Sequence, residues 1–294
     1  MEKIAFYGKG GIGKSTIATC ASLLLARMGK RVLHVGCDPK HDSSLVLVRD
    51  PAHFKTVMDK VFADEEVDRE DLVMEGIEGI DCVEAGGPEA GRGCGGRAVS
   101  RAFEVFEDIA LVDERYDAVV YDVLGDVVCG GFAAPMRRSA GSKVCIVLSE
   151  ELMAAYAANR IASAVREFAD NGVVLAGLVV NLRNNRADLL PIRRLADQLQ
   201  APVLGVLPRD PLVCEAELYR KTIVDYAPDS PVALGVHGVV ERVLALDRAA
   251  CTPPKPLPEA HVRMIMRGYA VGEAELPPPR ERPVSTITEW SRLD

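Results

Sequence analysis

The sequence predicts an α/β fold: a mostly parallel sheet with helices on both faces, in a single domain with a Pro-rich C-terminal tail. Three observations carry this. Short apolar strand candidates alternate with longer amphipathic helical stretches, the pattern of βαβ units. Residues 8–15, Gly-Lys-Gly-Gly-Ile-Gly-Lys-Ser, satisfy G-x-x-x-x-G-K-[ST], the loop that joins first strand to first helix in P-loop NTPases. The chain has 294 residues, 48% of them hydrophobic, enough to bury one large core.

The elements follow in order. Lys3–Tyr7 reads as a short buried strand, and Lys14–Met28 has helical apolar spacing. Strands are expected at Arg31–Gly36, Ile80–Glu84, Ala118–Asp122, Lys143–Ser149, Val173–Asn181 and Pro202–Leu207. Helices are expected at Val99–Leu111, Leu152–Asn171, Asp188–Gln200, 211–221 and 230–247. These place one domain at 1–250. Beyond it, Thr252–Pro258 and Pro277-Pro278-Pro279 exclude helix and inner strand, so 251–294 reads as an extended tail with a short helix near His261–Tyr269.

The net charge of −8 and the lack of a Lys/Arg-rich run argue against a nucleic-acid footprint. No apolar run is long enough to span a bilayer and none resembles a signal peptide, so a cytoplasmic protein is expected. In that compartment the eight cysteines are expected to be thiols, most of them in the core.

The candidate phosphate site is Gly8, Lys9, Gly10, Gly11, Ile12, Gly13, Lys14, Ser15 and Thr16. Backbone N–H groups there turn onto phosphate oxygens at a helix N-terminus. Lys14 reaches the β/γ phosphates and Ser15 holds Mg²⁺. Lys9 is surplus to that chemistry. It is either a solvated surface lysine or a residue that crosses to a nucleotide on a second copy of the chain. Asp122-Val-Leu-Gly125-Asp126 ends a strand and suits a switch: Asp122 at the metal's water shell, Gly125 at the γ-phosphate, Asp126 positioning the attacking water. In Cys37-Asp38-Pro39-Lys40-His41-Asp42, Asp38, Lys40 and Asp42 face the same site, or else form an Asp-Pro turn before a helix cap.

Cys94 and Cys129 stand apart in glycine-rich surroundings, Gly93-Cys94-Gly95-Gly96 and Cys129-Gly130-Gly131, which Cys37, Cys214 and Cys251 lack. Glycines free backbone N–H groups for sulfur and let a bulky inorganic body approach. Two thiolates are half the usual shell of a [4Fe–4S] cluster; a two-fold homodimer supplies four. The rival readings are a Zn²⁺ shared across the dimer and two buried thiols.

Gly8–Ser15, Cys37–Lys40, Gly86–Glu89, Gly93–Arg97 and the block Asp122-Val-Leu-Gly-Asp-Val-Val-Cys-Gly-Gly-Phe132 resemble the nitrogenase iron protein family and its nitrogenase-like relatives, over about residues 3–245. The resemblance implies an ATP-hydrolysing oxidoreductase component: a homodimer with one bridging [4Fe–4S] cluster, MgATP in each subunit, a heterotetrameric catalytic partner and a low-potential donor such as ferredoxin or flavodoxin. It implies that Cys94 and Cys129 ligate the cluster and that Lys9 crosses to the other subunit's nucleotide. Lys14 and Ser15 then contact phosphate and Mg²⁺, and Asp38 and Asp126 act at the γ-phosphate. Asn181 and Leu182 would meet adenine, Pro208-Arg209-Asp210 form a nucleotide-side loop, and Arg97 sits on the docking surface. Asn181-Leu-Arg-Asn184 and Glu217-Leu-Tyr-Arg-Lys-Thr222 resemble true dinitrogenase reductases, Asp38–Asp42 the protochlorophyllide branch and Gly91–Arg97 the chlorophyllide branch. This mosaic favours a separate branch, of which methylthio-alkane reductase is the first expectation. A different class, the partitioning or metal-delivery ATPases, shares the phosphate loop with its added lysine but has no need of the two glycine-flanked cysteines.

Overall fold

Eight strands form one sheet among the described residues, which in this computed structural model are 1–88, 93–125, 133–139 and 141–270. The strands are β1 (Glu2–Tyr7), β2 (Val32–Cys37), β3 (Met74–Glu75), β4 (Asp81–Glu84), β5 (Ala118–Val123), β6 (Lys143–Leu148), β7 (Val174–Asn181) and β8 (Val203–Leu207). Their order is β3-β4-β2-β5-β1-β6-β7-β8. Every pairing is parallel except β3 with β4. The inner strands β2, β5 and β6 are buried throughout and mostly apolar, His34, Asp122 and Lys143 being their polar members, because helices cover both faces of a parallel sheet.

The helix Lys14–Arg27 packs on β5 and β2 and against the helix Pro231–Ala245. The helices Leu152–Glu167, Leu190–Leu199 and Glu259–Met266 pack on one another as a second group. All parallel strands end at the same sheet edge, so the segments after β1, β2, β4, β5 and β7 converge there, where ligands of open α/β sheets bind. Register tightens this convergence. Gly36 pairs with Glu84 of β4 on one side and with Asp122 of β5 on the other, and Asp122 pairs with Phe6 of β1.

Each expected strand is present, within a residue or two at the ends. The helix expected from Val99 begins at Gly95, because the Cys94 carbonyl accepts the amides of Arg97 and Ala98 and closes the first turn. The helix expected to Asn171 stops at Glu167, followed by a 3₁₀ turn over Ala169–Asn171 that Gly172 ends in the left-handed region. The short helix Val57–Phe62 went unread, although Thr56 and Asp59 form a reciprocal capping box at its start. The first part of the Pro-rich segment is docked. The Lys255 amide donates to the Leu199 carbonyl at 3.0 Å, and the Asn159 amide exchanges two 2.8 Å bonds with the Leu257 backbone. Its helix spans Glu259–Met266. No helix among the described residues is long and apolar enough to cross a membrane.

Candidate functional site

The phosphate loop lies between β1 and the helix Lys14–Arg27. Gly11 (φ 69°) and Gly13 (φ 97°) take left-handed conformations that turn the backbone into the helix, which side chains other than glycine adopt only with strain. Lys14 is buried, its ammonium 3.3 Å from the Lys9 carbonyl. The Asn181 side chain, at the end of β7, donates to the Ile12 carbonyl at 2.8 Å, and Arg183 donates to that of Gly11. Glu150 accepts the amides of Arg183 and Asn184 at 3.0 and 2.9 Å, so the turn after β7 is held against the loop.

Beside the loop is a cavity of about 640 Å³, lined among others by Gly13, Thr16, Asn181, Leu182, Pro208 and Asp210. Its walls come from the turns after β7 and β8. They are tied by a reciprocal pair: the Arg209 amide donates to Asn185 Oδ1 at 2.7 Å, and Asn185 Nδ2 returns a bond to the Arg209 carbonyl at 3.0 Å. The size and mostly apolar walls with a few polar groups suit a nucleoside. Sequence reasoning missed Glu217 as a member of this site. It lines the cavity and accepts from the Thr16 hydroxyl at 3.2 Å. Its signal was its position in the Glu217–Thr222 run, 201 residues from its partner.

Asp122, at the tip of β5, is buried and accepts a 2.5 Å hydrogen bond from the Ser43 hydroxyl. Its other oxygen, Oδ1, has no hydrogen-bond partner among the described residues. A buried carboxylate oxygen beside Ser15 and Lys14 with a free lone pair fits the acceptor that a magnesium-bound water requires. Burial raises its pKa, opposed by the Ser15 and Ser43 hydroxyls and the Lys14 charge. Gly125 lies directly on the phosphate loop: a Cβ there would come within 2.6 Å of the Gly10 nitrogen and 2.8 Å of the Gly8 oxygen. Only glycine allows that approach. Asp126 lies outside the described residues.

A four-membered buried chain stands behind Asp122. Ser43 has one hydroxyl proton and gives it to Asp122, so His34 Nε2–H donates to Ser43 Oγ at 3.0 Å. The His34 Nδ1 then accepts from the Ser22 hydroxyl at 2.8 Å. Burial pushes the His34 pKa down to about 3, which keeps the ring neutral. Nothing in the spacing of Ser22, His34 and Ser43 announces the chain.

After β2, Asp38 accepts from the Lys40 amide at 2.9 Å, and its carbonyl accepts from the His41 amide at 3.0 Å. The Asp-Pro turn is therefore real. Burial raises the Asp38 pKa. Lys40 and Asp42 are exposed.

Cys94 is exposed and immediately precedes the helix Gly95–Asp108. The backbone amides of Arg97 and Gly96, with the Arg97 charge, lower its thiol pKa, as expected of a sulfur at a helix N-terminus. That chemistry fits a thiolate ligand. Arg97 is exposed one turn away. Around them is an open depression of about 830 Å³ that includes Met58, Phe62, Pro88 and Arg101. Cys20, Cys82 and Cys145 are buried in the core, where burial raises their thiols. Cys129 lies outside the described residues.

The family described as 4Fe-4S iron sulfur cluster binding proteins, NifH/frxC family, matches residues 2–271. A protein named nitrogenase iron protein, from Methanospirillum hungatei, is 38% identical over 274 residues, 92% of this chain and 96% of its own length. Among solved structures, the cell division ATPase MinD of Pyrococcus furiosus superposes with a TM-score of 0.65 at 22% identity, covering 84% of this chain and 99% of that one. Cobyrinic acid a,c-diamide synthase of Mycobacterium smegmatis, with bound ADP and magnesium, gives 0.61 at 20% identity, covering 88% and 100%. These two likenesses establish the P-loop fold. With the phosphate loop and the glycine-flanked Cys94, the near full-length match decides the family: the chain belongs to the NifH/frxC family of iron–sulfur proteins, whose cofactors are a [4Fe–4S] cluster and MgATP.

Proposed function

We propose that this chain is the ATP-dependent reductase component of a nitrogenase-like system, in which hydrolysis gates the passage of one electron to a separate catalytic protein. The observation that carries the reading is the contact of Gly125 with the backbone of Gly8, Lys9 and Gly10. A segment resting on the phosphate loop must shift when the loop's occupant changes, and Cys129 follows four residues later in the chain.

The roles assigned to this chain's residues follow. Lys14 and the loop amides bind phosphate oxygens, and Ser15 with Asp122 orients the metal's ligands. Asp38 and Asp126 act at the γ-phosphate, and Asp126 positions the attacking water. Asn181, Leu182, Pro208, Arg209 and Asp210 hold the nucleoside end. Lys9 reaches the nucleotide of the partner copy. Cys94 and Cys129 of both copies hold the cluster on the two-fold axis, and the cluster supplies a one-electron couple when bound. Arg97 faces the catalytic partner, for which the methylthio-alkane reductase branch is the first choice and the dinitrogenase and (proto)chlorophyllide branches the alternatives. Residues 1–250 carry the reductase, and the segment from 251 onward is appended to it, its first part docked through Lys255, Leu257 and the helix Glu259–Met266.

The test is anaerobic purification. A brown protein with about four irons per dimer, which passes electrons to its partner only with MgATP, supports the reading. A colourless, iron-free protein that still hydrolyses ATP would assign the chain to the partitioning or metal-delivery class instead. A pull-down that retains the catalytic partner decides the branch.

A further inference from the structure

We propose that His34, backed by Ser22, is a positioning residue for the phosphate site: it holds the Ser43 hydroxyl so that Asp122 is anchored through Oδ2 and offers Oδ1 to a magnesium-bound water. The inference rests on the functional reading above, in which Asp122 orients the metal's ligands, and adds two residues that lie outside every motif of that site.

The need for an anchor arises at Asp122. The last torsion of an aspartate side chain has only broad preferences, so hydrogen bonds decide where each oxygen points. Oδ2 accepts the Ser43 hydroxyl at 2.5 Å, while Oδ1, fully buried, has no hydrogen-bond partner among the described residues. The Ser15 hydroxyl and the Lys14 charge also act on the carboxyl. In the functional reading Ser15 is committed to the metal and Lys14 to phosphate, which leaves Ser43 as the anchor.

Ser43 cannot set its own direction, because a serine hydroxyl turns to suit its neighbours. His34 removes that freedom. Its Nε2–H occupies the Ser43 oxygen at 3.0 Å, so the Ser43 proton is left for the carboxylate. Ser22 steadies the ring by donating to Nδ1 at 2.8 Å. A neutral imidazole has one ring proton, and with Nδ1 accepting, that proton stays on Nε2. Each bond in such a row polarises the next.

The placement is as specific as the bonding. Ser22 lies on the helix Lys14–Arg27, about two turns beyond Ser15. His34 lies within β2, and Asp122 near the end of β5. The row therefore ties Asp122 to the same helix that presents Ser15 and Lys14, and fixes one against the other. All four side chains are buried, and every other residue of β2 is apolar or glycine. An apolar residue at 34 with alanine at 22 would fill this space without dehydrating polar groups. What the polar pair contributes is direction.

The test uses the anaerobically purified holoprotein and three variants: His34→Met, which has no donor, His34→Gln, whose amide N–H replaces Nε2–H, and Ser43→Ala. The readout is the ratio of ADP affinities in Mg²⁺ and in EDTA, from isothermal titration calorimetry. His34→Met and Ser43→Ala should each lose about tenfold of that ratio, or about 1.4 kcal/mol. Their affinities in EDTA should stay within about twofold of the parent's. The two losses should not add in the double variant, because His34 acts through Ser43. His34→Gln should keep the parent's ratio. A parent-like ratio in His34→Met, with or without a loss of stability, overturns the proposal, and so do additive losses. One measurement needs no apolar variant. In holoprotein labelled with ¹⁵N-histidine, the His34 signal, identified by its absence from His34→Gln, should show a neutral ring protonated on Nε2; a proton on Nδ1 overturns the proposal. A parent whose ADP affinity ignores Mg²⁺ overturns the functional reading, and the role of His34 with it.

Discussion

Two buried titratable groups in the sheet, Glu84 at the end of β4 and His34 within β2, should make stability depend on pH in opposite senses, and Glu84→Gln separates them. Burial raises the Glu84 carboxyl from 4.5 to about 8, against the pull of the two Ser44 donors. In the folded state it keeps its proton until pH 8, whereas the unfolded chain releases it near 4.5. Between these values the folded state binds one proton more, so stability falls as pH rises, by about 1.36 kcal/mol per unit. His34 behaves in the reverse way, with a folded pKa of about 3 against 6.5 unfolded. Its contribution is present above 6.5 and is lost as pH falls toward 3. From pH 4.5 to 6.5 the two slopes cancel. From 6.5 to 8 only Glu84 remains of the pair, a loss of about 2 kcal/mol. Asp38 and Asp122 are also raised by burial and act in the same sense as Glu84, so the difference between parent and variant is the clean quantity. Urea unfolding of the cluster-free protein, followed by far-ultraviolet circular dichroism, should show Glu84→Gln gaining about 2 kcal/mol on the parent between pH 6.5 and 8. A constant offset across that range would refute the reasoning, because it would mean that Glu84 is ionised in both states.

Three further outcomes are expected. Gly36→Ala forces a methyl into the Glu84 carboxyl and should cost about 1–3 kcal/mol of stability, read as a lower urea midpoint at unchanged slope. Cys94→Ala should yield protein without iron or brown colour, whereas Cys145→Ala, in the core of β6, should keep both; iron and sulfide analysis checks this. Lys14→Gln removes the charge buried in the phosphate loop and should abolish ATP hydrolysis while leaving the circular dichroism spectrum intact.

Much of the site was legible because its chemistry is written locally. The loop Gly8–Ser15 is one continuous motif whose glycines and lysine act within a few residues of each other, and it sits where the motif requires, between β1 and a helix. Cys94 could be told from Cys20, Cys82 and Cys145 by its glycine neighbours, and it is exposed where they are buried. Glu84 and His34 looked instead like ordinary strand residues. What they do depends on Ser44 and Ser43, which lie 40 and 9 residues away, and on strand order, which no local pattern contains.

The sequence by itself determined that the chain alternates strand and helix, carries the phosphate-loop motif after its first strand and has two cysteines in glycine settings. These follow from periodicity, backbone freedom and short spacing, all of them properties of neighbours in the chain. Only the tertiary structure decided that Gly36 would stand between Glu84 and Asp122 in one row across β4, β2 and β5, and that Pro39 would close on Gly95. Those contacts arise from register between strands far apart in sequence. There, the free energy of burial selects the partner and the chain's order does not.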